Sequence, residues 1–516
     1  MPGTFLPREV IDDLVGDLSS SRSTRVPVTA PFTGGKLHDL PYSTVEDVAT
    51  AADRARLAQL GWQAAGFAHR RRVLLRAHDL ILERREALLD AAQTETGKTR
   101  GQAFEEVFQS ASVTRYYALS ARRILETRRR RSTIPLVIQT RVGYRPKGLV
   151  GIITPWNFPL SLAAMDVVPA LAAGNAVLQK ADNQSALTIL AVRRAFIDAG
   201  VPADLWAIVT GDGAVIGNAV NDESDYLSFT GSTATGTQVG IRAATALRGA
   251  SLELGGKNPM IVLDDVNPVA AARSAVYACF SSMGQMCVSI ERIYVQRAVA
   301  DAFTAEFAAR TKALVQGAAF DYSTDVGSLT LPSQLENTQA HVKDAVAKGA
   351  TVLTGGTARP DLGPLFYEPT VLTGVTDAME CFGNETFGPV VSITVVDSVE
   401  EAVLATNDSQ YGLNAAVFSG SRRRAREVAA TIDAGSVNIN EGYRATFSAV
   451  DAPMGGMKKS GLGRRNGPEG ILRFAEPRTI AETTGLLTLP RVGSEFAKLG
   501  GPLLLLLRTL KALRRR

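Results

Sequence analysis

Cysteine and histidine are both scarce, with three cysteines and four histidines among 516 residues. Cys279, Cys287 and Cys381 form no C-x-x-C pair and no disulfide framework, a usage that suits a reducing cytoplasm. His38, His69, His78 and His341 leave no metal-ligand spacing, so no metal is expected. Met1 to Ser20 carries Asp12, Asp13 and Asp17 and lacks an apolar core, which argues against a secretory signal. Charge of one sign is also in short supply: the net value is only +5. Its basic runs, Arg128 to Arg131, Arg422 to Arg424 and Arg514 to Arg516, lack interleaved aromatics and read as solvated faces rather than a nucleic-acid surface.

What is present is a globular chain, 45% hydrophobic and 21% charged, long enough for about three domains. The first region reads as helical. Thr44 is placed to cap a segment through Leu60, Ala68 to Ala92 repeats apolar residues at helical spacing, and a further helix is expected over Gly101 to Leu125. Ser132 to Arg145 reads as extended. Short β-rich runs (Leu149 to Ile153, Ala176 to Gln179, Ala207 to Thr210, Tyr226 to Phe229) then alternate with helical ones, the pattern of a parallel sheet covered on both faces. After Pro259 a second α/β series begins. Ligands on such sheets bind beyond the carboxyl ends of the strands, where Pro155-Trp156-Asn157, Lys180 and Gly231-Ser232 fall.

Three segments carry chemistry. Phe280-Ser281-Ser282-Met283-Gly284-Gln285-Met286-Cys287 puts a thiol behind a Gly-Gln turn. Ser251-Leu252-Glu253-Leu254-Gly255-Gly256 puts a lone carboxylate between apolar neighbours, in what reads as a packed turn. Ile153-Thr154-Pro155-Trp156-Asn157-Phe158-Pro159 offers a side-chain amide to an oxyanion. Nucleophile, base and oxyanion donor together point to acyl chemistry through a thioester. Gly211-Asp212-Gly213-Ala214-Val215-Ile216-Gly217 is a weaker pattern, its last glycine one position too far on for a dinucleotide fingerprint, and reads as a structural turn.

These segments resemble the aldehyde dehydrogenase family. Pro31-Phe32-Thr33-Gly34, Ile153 to Pro159, Ala170 to Val177, Phe229-Thr230-Gly231-Ser232, the Glu253 and Cys287 segments, Asn384 to Pro389 and Pro453-Met454-Gly455-Gly456 follow that family's order, and Glu253 and Cys287 stand 34 positions apart, as in the family. Within it, Glu253 to Val262, Gly363 to Thr370 and Asn440-Glu441-Gly442-Tyr443 look most like the bacterial succinate-semialdehyde dehydrogenase branch, in its actinobacterial members.

The resemblance implies an α/β fold: a Rossmann-like parallel-sheet cofactor domain (1–123 and 147–254), a second α/β catalytic domain (255–455), a small β oligomerisation arm with its return segment (124–146 and 456–490), and a basic apolar tail (491–516). It implies NAD(P)-dependent oxidation of an aldehyde to a carboxylate. Cys287 is the implied nucleophile, Glu253 the base that activates water, and Asn157 the oxyanion donor. Ile153, Thr154, Pro155, Trp156, Lys180, Asn183, Gly231, Ser232, Leu254, Glu385 and Phe387 are the implied cofactor residues. Asn183 stands where NAD-preferring members often place a glutamate, so NADP is favoured over NAD. A homodimer or homotetramer is implied through the arm.

Two departures from the pattern bear on substrate. Established semialdehyde oxidisers clamp the distal carboxylate with arginines where this chain has Met165 and Ser281, leaving Arg292 or Arg444 as stand-ins. The tail from Leu503 to Arg514 mixes leucines with cations over less than a membrane span, so an interfacial helix and an apolar aldehyde, with Met165, Met283 and Met286 lining the tunnel, form the alternative. A catalytically silent scaffold protein is the third reading, disfavoured because Cys287, Glu253 and Asn157 are all present.

Overall fold

The computed structural model describes residues 6–21 and 24–513, so the run Arg514 to Arg516 lies outside the described residues. Six strands form one sheet in the order Gly461–Leu462, Gly249–Glu253, Tyr226–Thr230, Leu149–Ile153, Ala176–Lys180, Trp206–Val209. All neighbours pair in parallel except the first. Ala176–Lys180 and Tyr226–Thr230 are buried throughout, as strands covered on both faces must be. Their covers include the helices Val45–Ala64, Pro159–Ala173, Gly213–Glu223 and Thr233–Thr245. Leu149–Ile153 lies between one strand that follows it directly and one that comes later, so the turn Pro155-Trp156-Asn157 leaves the sheet at a switch point, where a crevice opens.

A second sheet runs Thr351–Thr354, Thr370–Thr373, Val390–Val396, Ile290–Gln296, Asn258–Val262, Asn414–Phe418, Ser436–Ile439, with only the first strand antiparallel. Glu253 ends a strand of the first sheet and Asn258 begins one of the second. The four residues between them bridge the two sheets. Cys287 sits in the turn between the helix Pro268–Phe280 and the central strand Ile290–Gln296.

The helical N-terminal region departs from its expected bounds in detail. Thr44 does cap the helix Val45–Ala64: its hydroxyl accepts from the Asp47 N–H at 3.1 Å, and the Asp47 carboxylate accepts from the Thr44 N–H at 2.9 Å. The continuous apolar spacing from Ala68 to Ala92 spans two helices, Gly66–Glu83 and Arg85–Thr96, because Arg84 leaves the helical region at φ −97, ψ 14. Side-chain periodicity survives such a break, so the pattern alone cannot show it.

A third, three-stranded sheet joins Ala475–Thr483, Ile138–Pro146 and Arg128–Arg130. Its strand starts at Ile138 rather than Ser132, since Leu136 turns at φ 69. The return strand ends at Thr483, short of residue 490. Residues 456–490 are not one unit: Met457–Lys458 pairs with Tyr411–Gly412, and Gly461–Leu462 joins the first sheet beside Glu253. The helix Gly493–Ala512 closes the described chain without a single buried residue. No helix among the described residues is long and apolar enough to cross a membrane.

Candidate active site

The turn before Cys287 is held in a rarely populated backbone conformation. Ser282, Met283 and Gly284 all have positive φ (50, 57 and 69). Gly284 is required there twice over: it is left-handed, and a Cβ would lie 2.2 Å from the Gly388 carbonyl oxygen. Gln285 fastens the turn from both ends. Its side-chain amide donates to the Ser282 carbonyl at 3.1 Å, and its side-chain oxygen accepts from the Thr330 N–H at 2.9 Å. Asn258 donates to the Cys287 carbonyl at 2.7 Å. The sulfur therefore stands on a backbone fixed on each side, half-buried.

Asn157 meets this turn from the other sheet. Its side-chain amide donates to the Gln285 carbonyl at 2.8 Å, which leaves one N–H of that amide for an oxyanion. Its own carbonyl accepts from the Lys98 ammonium at 2.7 Å. Lys98 pairs with Glu106, and the other Glu106 oxygen accepts from the Leu160 and Ser161 N–H groups at 2.9 and 3.2 Å. A carboxylate from the helix Arg100–Leu125 thus caps the helix that begins at Pro159. Sequence reasoning assigned no role to Lys98, Glu106 and Gln285, because the contacts that tie them to the rest of the site span 45 to 59 positions.

Glu253 is the last residue of a strand rather than part of a turn. Its carboxyl is 5% exposed, and its Oε1 has no hydrogen-bond partner among the described residues. Burial pushes it up to about 7, against the pull of Arg465, Arg473 and Arg464. Burial likewise pushes the Cys287 thiol up to about 12, with the Glu385 and Glu253 carboxylates adding to the shift and Arg465 opposing it. One cavity of about 330 Å³ is lined by Cys287, Glu253 and Asn157 together with Pro155, Trp156, Gly231, Ser232, Leu254, Glu385 and Phe387. A thiol, an oxyanion donor and a base near neutrality on one cavity can form, hold and hydrolyse an acyl thioester.

Residues 18–480 match the model of the aldehyde dehydrogenase family. The chain belongs to that family. A protein of Mycolicibacterium smegmatis, named a putative succinate-semialdehyde dehydrogenase with NADP(+), is 49% identical over 93% of this chain and 92% of its own length. A non-phosphorylating aspartate-semialdehyde dehydrogenase of Halomonas elongata is 35% identical over 87% of this chain and 90% of its own. Among solved structures, betaine aldehyde dehydrogenase of Staphylococcus aureus in complex with NAD+ superposes with a TM-score of 0.87 at 30% identity, covering 94% of this chain and 99% of that one. The protein is an aldehyde dehydrogenase.

The cofactor residues expected of an aldehyde dehydrogenase fall into two groups. Those on the cavity include Ser232, whose hydroxyl caps the helix Thr233–Thr245 by accepting from the Thr235 N–H at 3.2 Å. That helix starts just after the strand Tyr226–Thr230 ends, with Gly231 and Ser232 on the cavity, so its N-terminus is placed to suit an anion. Phe387 packs edge-on to Trp156 at 5.7 Å, and the Gly256 N–H donates to Glu385 at 3.0 Å. Ile153, Thr154, Lys180 and Asn183 do not line this cavity. Thr154 is buried and accepts from Gln179 at 3.0 Å. Lys180 is buried beside Asp182 and Asp212, and desolvation lowers its pKa. Asn183 is committed within the protein, donating to the Tyr42 hydroxyl and the Gly211 carbonyl and accepting from the Gly211 N–H. Asp212 caps the helix Gly213–Glu223, so the glycine-rich segment there ends a strand-to-helix turn.

Neither stand-in arginine reaches the cavity. Arg292 donates to the carbonyls of Lys257, Ala405 and Thr406 and to the Tyr294 hydroxyl, which commits it to the second sheet. Arg444 pairs with Glu441 and lies 4.4 Å over the Tyr277 ring. It lines a separate cavity of about 580 Å³ with Arg273, Arg310 and Ser281. Met165, Met283 and Met286 are core residues, and none lines the catalytic cavity as the apolar-tunnel reading required.

Proposed function

We propose that the protein oxidises a semialdehyde, succinate semialdehyde first among them, to the carboxylate, with NADP as preferred hydride acceptor and water as acyl acceptor. The convergence of Cys287, Asn157 and Glu253 on one cavity carries the reading. The names of the mycobacterial relatives support the substrate and the cofactor.

Cys287 gives up its proton to the Glu253 carboxylate on the same cavity, which passes it on to solvent, as its sulfur bonds to the aldehyde carbon. The remaining Asn157 amide N–H and the Cys287 backbone N–H hold the resulting oxyanion. Loss of one such donor costs about 10²–10³ in rate. The cofactor, when bound, accepts the hydride that leaves as this oxyanion collapses to a thioester. Glu253 then takes a proton from water, and hydroxide displaces sulfur from the acyl carbon. For the cofactor, the Ser232-capped helix N-terminus fits the pyrophosphate, and Gly231 allows close backbone approach. Asn183 brings no carboxylate of its own to repel a 2′-phosphate, while the charge of Lys180 is offset by the neighbouring Asp182 and Asp212. The neutral Asn183 side chain acts there as a loop staple rather than a direct ligand.

Reduced-nicotinamide formation tests this with succinate semialdehyde, medium-chain alkanals and benzaldehyde, each with NAD and with NADP. The highest kcat/KM is expected for the semialdehyde with NADP. Faster turnover of the alkanals would favour the second reading, an apolar-aldehyde oxidiser at a membrane surface. Leu504 and Leu505, each over 60% exposed on the terminal helix, support that reading.

A further inference from the structure

Beneath Glu253 lies a charged cluster that the reaction scheme above does not use. Asp166, on the helix Pro159–Ala173, accepts from the Arg465 Nε at 2.8 Å and its Nη2 at 2.6 Å, and from the Arg473 Nη2 at 2.5 Å. All three side chains are at most 7% exposed. Arg465 also donates to the Thr230 hydroxyl, and Thr230 is the residue paired with Glu253 across the sheet. Arg473 donates to Ser251 at 2.8 Å, two positions before Glu253 and so on the same face of its strand. The backbones of Arg465 and Met454 exchange hydrogen bonds at 2.6 and 2.8 Å. That pairing presents the adjoining Gly455 to the base, where a Cβ would stand 3.1 Å from the unpaired Glu253 Oε1.

One carboxylate against two guanidiniums leaves a single buried positive charge. An uncompensated buried charge is costly, and such a cluster persists where a further anion faces it. The charged groups acting on Glu253 are Arg465, Arg473, Arg464 and Asp166. Arg464, with its guanidinium on the Gly456 and Gly463 carbonyls, adds to the positive side.

We propose that Arg465 is the positioning residue of the base: with Asp166 and Arg473 it forms a buried platform of net positive charge that keeps Glu253 ionised and seated for deacylation. The inference rests on Glu253 being the base that activates water. Arg465 is the largest influence opposing the burial that raises Glu253, and it favours the Cys287 thiolate as well.

The test compares Arg465→Met, which removes the charge, with Arg465→Lys, which keeps it. Ionisation of Glu253 is read in the cofactor-free protein as the carboxyl infrared band that disappears in a Glu253→Gln background. In Arg465→Met the midpoint is expected to rise by about one pH unit, which at pH 7 is about a fivefold loss of the base form. The deacylation-limited kcat falls with it and recovers at higher pH, while KM for the aldehyde stays within about twofold. Arg465→Lys is expected to restore most of the shift. Arg473→Gln, which leaves Arg465 and Asp166 intact as a neutral pair, is expected to raise the midpoint even if Arg465→Met fails to fold. Folded variants with an unmoved infrared midpoint would overturn the proposal, whatever the aldehyde kinetics show. A shifted midpoint in a protein that oxidises no semialdehyde would instead fault the proposed function.

Discussion

Cys287 and Glu253 are each tuned by burial, and both shifts favour the protonated form, the thiol throughout the neutral range and the carboxyl below about 7. A thiol raised to about 12 is protonated at neutral pH, so sulfur becomes nucleophilic only as it loses its proton on attack. Glu253, raised to about 7, lacks its base form below that pH and gains it above, so hydrolysis of the thioester is expected to rise with pH through about 7. Single-turnover acyl release measured from pH 5.5 to 9 checks this, and the rising limb should vanish in Glu253→Gln. Cys287→Ala is expected to abolish turnover while leaving cofactor binding by fluorescence within about twofold. Gly284→Ala should cost at least about tenfold in kcat, because its Cβ would push against the Gly388 backbone and tilt the nucleophile's turn.

Elements, rather than single residues, bring the site together. The helix Pro159–Ala173 supplies Asn157 just before its start and Asp166 near its middle, so it ties the oxyanion donor to the platform under the base. Removing Asp166 strands two buried guanidiniums. Asp166→Asn is therefore expected to destabilise the fold by about 3–5 kcal/mol, read from the denaturant midpoint. The Asp166 carboxyl is held down at about 2 by Arg465 and Arg473 in spite of burial. Its depressed pKa contributes stability that is present above the ordinary carboxylate value and lost as pH falls toward about 2. Acid unfolding of the wild type should accordingly include this proton uptake, and Asp166→Asn should lack it.

At the scale of the whole molecule, two sheets meet over Glu253 to Asn258, while the third sheet touches the first core only at its base, through Ala475 and Tyr144. Its strands Arg128–Arg130 and Ala475–Thr483 are exposed almost throughout. A long exposed edge without a partner invites pairing, and we infer that the arm joins subunits into a dimer or tetramer. Ile480, 54% exposed on that strand, is a direct probe: Ile480→Asp is expected to shift light-scattering mass toward monomer. Truncation after Gly501 removes the leucine-rich half of the terminal helix. Unchanged pelleting with anionic liposomes after that truncation would remove the membrane-surface reading.

The sequence by itself determined the family and the α/β alternation, and it singled out the three residues that the proposed function uses. Those features are local: an ordered series of short motifs, a two-residue strand period, a glycine that only one turn allows. It misjudged what depends on contact at a distance. The committed side chains of Arg292 and Asn183 follow from partners far along the chain, while the helix break at Arg84 and the late start of the arm strand are backbone turns that side-chain spacing does not record. The Arg465–Asp166 pair spans 299 positions, and only the closure of Gly461–Leu462 onto the strand of Glu253 brings its charge beneath the base. Tertiary structure decided the ionisation of the site, because desolvation and the field of a buried guanidinium exist only once the chain has excluded water from them.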